Sequence, residues 1–336
     1  MSFKTWWLAL ALVLVAAAGW FALSLPGRGV WPQRSEPMTS PGRSEEGPPA
    51  PPALHRHERP AQWSRAPSLR TDHAYHGAVA VDGIIYVAGG IADVEAFDPQ
   101  RQTWESLGQS PADGDFPGVA ALGKQIYVVG GVRRKKNLAT VHLFDVASKH
   151  WQRAAPLQVA RSRLAVAAWG GKLYAVGGYA GDGTEALDSG VVEEYDPDKR
   201  AWVKKASMPT PRHGHAAVVL DRRILVIGGY GRRASGYGDL TTVEEYDPAA
   251  DRWRTRAPLP TGRGFLGAAV VRGTVFAFGG HRQRSRVECY DPQADTWQSL
   301  KDAPDGFERF GIATLGGDIY LIGGEVNPRR VWRFQP

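Results

Sequence analysis

The sequence predicts an all-β fold built from six copies of one four-stranded unit, and three observations predict it. A Gly-Gly pair follows a short β-branched or aromatic run six times. A Trp recurs at a fixed distance from the residues before that pair. Helix-forming patterns are scarce after the first 25 residues, whereas Gly (40) and Pro (24), which punctuate strands and turns, are plentiful.

The pairs are Gly89-Gly90, Gly130-Gly131, Gly177-Gly178, Gly228-Gly229, Gly279-Gly280 and Gly323-Gly324, spaced by 41, 47, 51, 51 and 44 residues. Each follows a large apolar residue at one register: Tyr86, Tyr127, Tyr174, Leu225, Phe276 and Tyr320. A Val-x-x-aromatic segment comes next, as in Val192-Glu193-Glu194-Tyr195-Asp196-Pro197 and Val243-Glu244-Glu245-Tyr246-Asp247-Pro248. A Trp then follows at positions 104, 151, 202, 253 and 297. Four short strands bounded by turn residues make one sheet, which cannot bury both its faces alone. Stacked radially, such sheets bury each other. The Trp and Tyr side chains are expected to fill the space between them.

These residues resemble the kelch repeat, over roughly 62–336. No unit ends in the Trp-Asp of a WD40 blade. The resemblance implies a six-bladed kelch β-propeller. The sixth unit stops after Val331-Trp332-Arg333-Phe334-Gln335-Pro336, without a Trp-bearing fourth strand. Gln62-Trp63-Ser64-Arg65 supplies that strand at the other end of the chain. In every unit 23 residues separate the Trp from the apolar residue before Gly-Gly, and Trp63 to Tyr86 keeps that distance. The amino-terminal strand is therefore expected to close the last blade, with 62–336 as the propeller.

Residues 1–25 hold an uncharged apolar run from Trp6 to Leu25, long enough as a helix to cross a bilayer core. It reads as an uncleaved signal anchor, or as a signal peptide cut near Ala16-Ala17-Ala18. Residues 26–61 form a proline-rich linker with too little apolar surface to fold. Together they predict a propeller held outside the cytoplasm, at the membrane or secreted.

Composition narrows the chemistry. One cysteine, Cys289, excludes an internal disulfide framework and any multi-thiolate metal site. The net charge of +7 allows anionic partners, but no basic tail suggests nucleic acid. There is no Gly-x-Ser-x-Gly elbow and no phosphate-cradling glycine loop before a helix. Some kelch-like propellers are copper-radical oxidases that need a Cys–Tyr cross-link, and Cys289 on a third strand departs from that pattern. His76 and His215 share one register and are expected to be structural. No cofactor, no metal and a monomer are expected.

Candidate binding residues lie where loops vary. The second-to-third strand loops differ most in length and together carry about +5 of the formal charge, including Arg133-Arg134-Lys135-Lys136. Two registers stand where the inter-unit segment enters each first strand. One holds His73, Gly114, Arg161, Arg212, Arg263 and Phe307; two residues on come Tyr75, Phe116, Arg163, Gly214, Phe265 and Arg309. Strand alternation would put both on one side, converging on the channel mouth with Glu325. Arginine suits planar carboxylates and aromatic faces suit sugars or apolar groups. The alternative for the arginines is pairing with glutamates such as Glu193 or Glu244. The expected ligand residues are thus His73, Tyr75, Arg161, Arg163, Arg212, Arg263, Phe265, Arg309 and Glu325. The expected role is a module binding a protein or an anionic glycan. The alternative is a sugar-acid isomerase resembling the kelch mutarotases of sialic acid, which needs one acid and one base.

Overall fold

A computed structural model describes residues 61–336 other than 91, 113 and 183–186. The apolar run and nearly all of the proline-rich linker lie outside the described residues. Among these residues there is no helix, hence none long and apolar enough to cross a membrane.

Six antiparallel four-stranded sheets form the framework of the described residues. Sheet 1 comprises Gly77–Val81, Ile84–Ala88, Asp93–Asp98 and Thr103–Gln109. Sheet 2 comprises Gly118–Leu122, Gln125–Val129, Val141–Asp145 and His150–Ala154. Sheet 3 comprises Ala165–Trp169, Lys172–Val176, Val192–Asp196 and Ala201–Lys205. Sheet 4 comprises Ala216–Leu220, Arg223–Ile227, Val243–Asp247 and Arg252–Arg256. Sheet 5 comprises Gly267–Val271, Thr274–Phe278, Val287–Asp291 and Thr296–Ser299. Sheet 6 comprises Gly311–Leu315, Asp318–Ile322 and Val331–Gln335, with Gln62–Ala66 paired to its last strand so that Trp63 lies opposite Phe334.

Local chemistry sets the turns. In sheets 1, 3, 4, 5 and 6 the first and second strands join through two-residue turns with positive φ at both positions, as at Asp82-Gly83 and Gly170-Gly171, the geometry that matches strand twist. Third and fourth strands join where the Asp of the Tyr-Asp-Pro pattern caps the turn. Asp247 Oδ1, for example, accepts the amides of Ala249 at 3.0 Å and Ala250 at 3.1 Å.

Packing between sheets is apolar and periodic. The first strands neighbour one another in chain order, and that of sheet 6 neighbours that of sheet 1. Second strands are buried almost throughout; Ile224, Leu225, Val226 and Ile227 are all inaccessible. Each fourth-strand Trp packs on the aromatic opposite it, Trp253 on Tyr246 at 4.9 Å between centroids. Its indole also reaches the preceding sheet, where Trp253 Nε1 donates to the Ala206 carbonyl at 2.8 Å. A burial and a directed bond thus act in one residue.

The Gly-Gly pairs have a specific task. The amide of the second glycine donates to a carbonyl of the next sheet's entering segment, Gly229 to Arg263 at 3.0 Å and Gly178 to Arg212 at 3.0 Å. Gly228 and Gly229 have φ of +60° and +109°, and a Cβ on Gly228 would fall 2.6 Å from that same Arg263 oxygen. A side chain there would prevent the contact.

The variable loops are more regular than their sequences suggest. Tyr230–Arg233 and Gly236–Asp239 form a hairpin that also pairs with Arg212–His213. Tyr179–Ala180, Leu187–Asp188 and Arg161–Ser162 repeat that arrangement, and Val132–Arg133 pairs with Lys136–Asn137.

Candidate functional site: the axial mouth

The two registers part company, because backbone conformation breaks the alternation expected of them. Tyr75, Phe116, Arg163, Phe265 and Arg309 all have φ between 54° and 61°, and Gly214 has 59°. The alternation argument requires extended backbone, and this is the left-handed region. These six residues form a closed cycle of backbone hydrogen bonds. Phe116 donates to Tyr75, Arg163 to Phe116, Gly214 to Arg163, Phe265 to Gly214, Arg309 to Phe265 and Tyr75 to Arg309, at 2.6 to 3.3 Å.

The first register turns inward, which corrects the expectation that it meets ligand. His73 is 1% exposed, and Arg161, Arg212 and Arg263 are inaccessible. Arg161 Nη2 donates to Glu193 Oε1 at 3.0 Å, and its Nη1 to the carbonyls of Gly177 and Val191. Arg212 pairs with Glu244 at 2.9 Å and Arg263 with Glu288 at 2.8 Å. Burial brings the Arg161 and Arg263 guanidiniums down to about 10, against the attraction of their glutamates. His73 Nε2 lies 3.2 Å from Glu95 in sheet 1. Sheet 6 puts Phe307 and Trp332 at these two positions, so the pair gives way to an apolar couple as a unit. These residues clamp each entering segment to its third strand; they are not reachable by a ligand.

The second register comes together in one place. Tyr75, Phe116, Arg163, Phe265 and Arg309 line one depression of about 100 Å³ whose floor includes His76 and His215. Tyr75 and Phe116 rings are 4.3 Å apart. Arg163 lies over Phe116 at 4.6 Å and over Tyr179 at 5.4 Å, so its guanidinium is sandwiched. Arg309 lies over Phe265 at 4.5 Å and is ion-paired with Glu325. The Tyr75 hydroxyl donates to Glu325 Oε1 at 3.3 Å; burial and that carboxylate both push its phenol up. Both floor histidines are buried, and burial lowers them, His215 to about 3. His215 Nε2 contacts the Val176 carbonyl at 3.1 Å, while neither nitrogen of His76 has a hydrogen-bond partner among the described residues. Cys289 lies buried on the third strand of sheet 5, a position outside the mouth's lining.

Sequence reasoning missed a third contributor, the residue directly after the last four Gly-Gly pairs. There stand Tyr179, Tyr230, His281 and Glu325, of which only Glu325 was singled out. Tyr179, Tyr230 and Phe265 surround His213, with ring centroids 5.1, 5.6 and 5.7 Å from its imidazole. Asp188 fixes His213 through Nδ1 at 2.6 Å, and Asp239 fixes His281 through Nδ1 at 3.0 Å. The signal was the register following a motif already found.

The kelch motif model matches residues 73–111 and 116–158, and the KLHDC2/KLHL20/DRC7 kelch-repeats domain model matches 163–335. The chain belongs to the kelch-repeat family. Among kelch relatives, Kelch-like protein 35 of Mus musculus is 31% identical over 231 residues, 67% of this chain and 38% of the relative. Kelch-like protein 34 of Homo sapiens is 34% identical over 245 residues, 66% of this chain and 37% of the relative. Alpha-scruin of Limulus polyphemus is 31% identical over 199 residues, 55% and 21% respectively. The chain thus spans under two-fifths of the length of these relatives. The solved structure of YjhT matches with a TM-score of 0.69 at 16% identity, covering 80% of this chain and 95% of that one. That likeness shows a shared kelch-propeller fold.

Proposed function

We propose that this chain is a protein-binding kelch module whose docking surface is the axial mouth together with the loops around it. One observation carries this. Of the four large hydrophobic side chains exposed among the described residues, three sit on second-to-third strand loops: Leu187 (64%), Tyr237 (53%) and Val326 (42%). They come from the loops of sheets 3, 4 and 6. Burying one such side chain against a partner stabilises a complex by roughly 1.5–3 kcal/mol. Single exposed apolar residues need no explanation, but three of four falling on one class of loop does. The depression of about 100 Å³ accommodates a side-chain tip from a partner. Arg163, sandwiched between rings, is the group that meets an acidic tip. In this proposal the six sheets are the blades of one ring, completed by Gln62–Ala66. The apolar run and linker hold the ring outside the cytoplasm.

A random-peptide display library panned against the chain tests the proposal. Recovered peptides should carry acidic and apolar residues. Their affinity should fall at least tenfold in Arg163→Gln and in the Leu187→Ser, Tyr237→Ser double variant, with melting unchanged. Affinity unaltered in both variants rules the proposal out. Protease accessibility of the propeller in intact cells tests its placement.

A second function has one favourable observation. Glu325 and Tyr75, a carboxylate and a phenol in hydrogen-bond contact at the mouth, are the acid and base that ring-opening of a sugar acid needs. Exchange spectroscopy on N-acetylneuraminic acid checks it; anomer exchange no faster than in buffer removes it.

A further inference from the structure

We infer that Glu325 is a built-in competitor for the partner's carboxylate, occupying Arg309 until the partner displaces it. The inference rests on protein docking at the mouth. Two guanidiniums reach the mouth from the same register, both stacked on aromatic rings, yet they are in different states. Arg163 stacks on Phe116 and Tyr179, and no hydrogen bond from it to a carboxylate occurs among the described residues. Arg309 stacks on Phe265 but already pairs with two carboxylates, that of Glu325 and, at 3.4 Å, that of Glu308. Its Nε has no hydrogen-bond partner among the described residues, so its fork is only partly used.

The two acids beside Arg309 differ as well. Glu308 is 1% exposed, and Arg284 Nε donates to it at 2.9 Å. It is a fixed part of the wall. The Glu325 side chain is 39% exposed, and only Arg309 and the Tyr75 hydroxyl hold it. Its backbone amide donates to the Glu308 carbonyl at 3.0 Å, so the main chain stays while the carboxylate can rotate away into solvent. An exposed pair of this kind biases an equilibrium by at most about fivefold. That is weak enough for a partner to overcome and strong enough to reject a partner offering nothing better than water. Arg163 would give an incoming acidic side chain its first contact, and exchange of Glu325 for a second one would follow at Arg309.

The test is fluorescence anisotropy of a labelled hexaglutamate peptide with the full chain, in the wild type, Glu325→Gln, Arg309→Gln and the double variant. Glu325→Gln should bind about fivefold tighter than the wild type. In the Arg309→Gln background the Glu325 change should have no effect, because its rival site is gone. Equal affinities of the wild type and Glu325→Gln overturn the competitor while leaving docking intact. A gain that persists in the Arg309→Gln background also overturns it, since it reports only the removed charge. No binding by any form overturns carboxylate docking at the mouth and this inference with it.

Discussion

Glu95 links the first sheet to the segment that enters it, and changing it to Gln should cost stability in a pH-dependent way. Its side chain is inaccessible, yet it accepts the amides of Arg70 at 2.9 Å and Thr71 at 2.8 Å and the Thr71 hydroxyl at 2.6 Å, with His73 Nε2 at 3.2 Å. Burial pushes the carboxyl up, but the bonds from His73, Thr71 and Arg70 outweigh it and bring it down from 4.5 to about 2. A shift of that size corresponds to about 3 kcal/mol. Because the folded value is depressed, this stability is present above the unfolded value of 4.5 and is lost as pH falls through about 2. Glu95→Gln replaces one acceptor with an NH2 that faces donors. Urea unfolding followed by Trp fluorescence should show the variant about 3 kcal/mol less stable at pH 7, with the gap closing towards pH 2. A gap of the same size at both pH values refutes this account of the carboxylate.

Three other outcomes follow from the packing. Arg263→Met strands Glu288, whose carboxyl burial already pushes up, and should cost about 3–5 kcal/mol in urea unfolding; adding Glu288→Leu should restore most of it, and a double variant no better than the single one contradicts this. Trp63→Ala removes a ring 4.7 Å from Phe334 and 6.0 Å from Phe278, and should cost about 3 kcal/mol; unchanged cooperative unfolding after deletion of residues 60–68 would count against its role in sheet 6. Gly229→Ala places a Cβ 3.0 Å from the His213 carbonyl at a φ of +109°, and calorimetry should find a loss of about 2 kcal/mol.

The repeat was legible because its physics is local and occurs six times. Gly228-Gly229, Trp253 and the Tyr246-Asp247-Pro248 corner each do one job, and a spacing of residues is enough to find them. The mouth was legible only in part. Tyr75, Arg163, Phe265 and Arg309 do line one depression, but Arg161, Arg212 and Arg263 were drawn there by an alternation that holds only for extended chain. A left-handed turn at each entry is invisible where the residue is Phe or Arg, since such residues rarely adopt it. The pairing of Arg161 with Glu193 was open to sequence because sheet 6 drops both charges at once. The association of His213 with Asp188 was not, since a hairpin brings them together across 25 positions.

The cycle of amides through Tyr75, Phe116, Arg163, Gly214, Phe265 and Arg309 leaves the N–H groups of those six residues fully used. A helix start offers a guest bare N–H groups and a partial positive charge. Here each of the six gives its proton to one neighbour and takes one from the other, so the main chain has no N–H left to offer an anionic guest. Donation to an acidic guest at this opening therefore belongs to side chains. Six positions can be re-lettered while the rim beneath them stays the same, and one scaffold can be re-aimed at a new guest without being rebuilt.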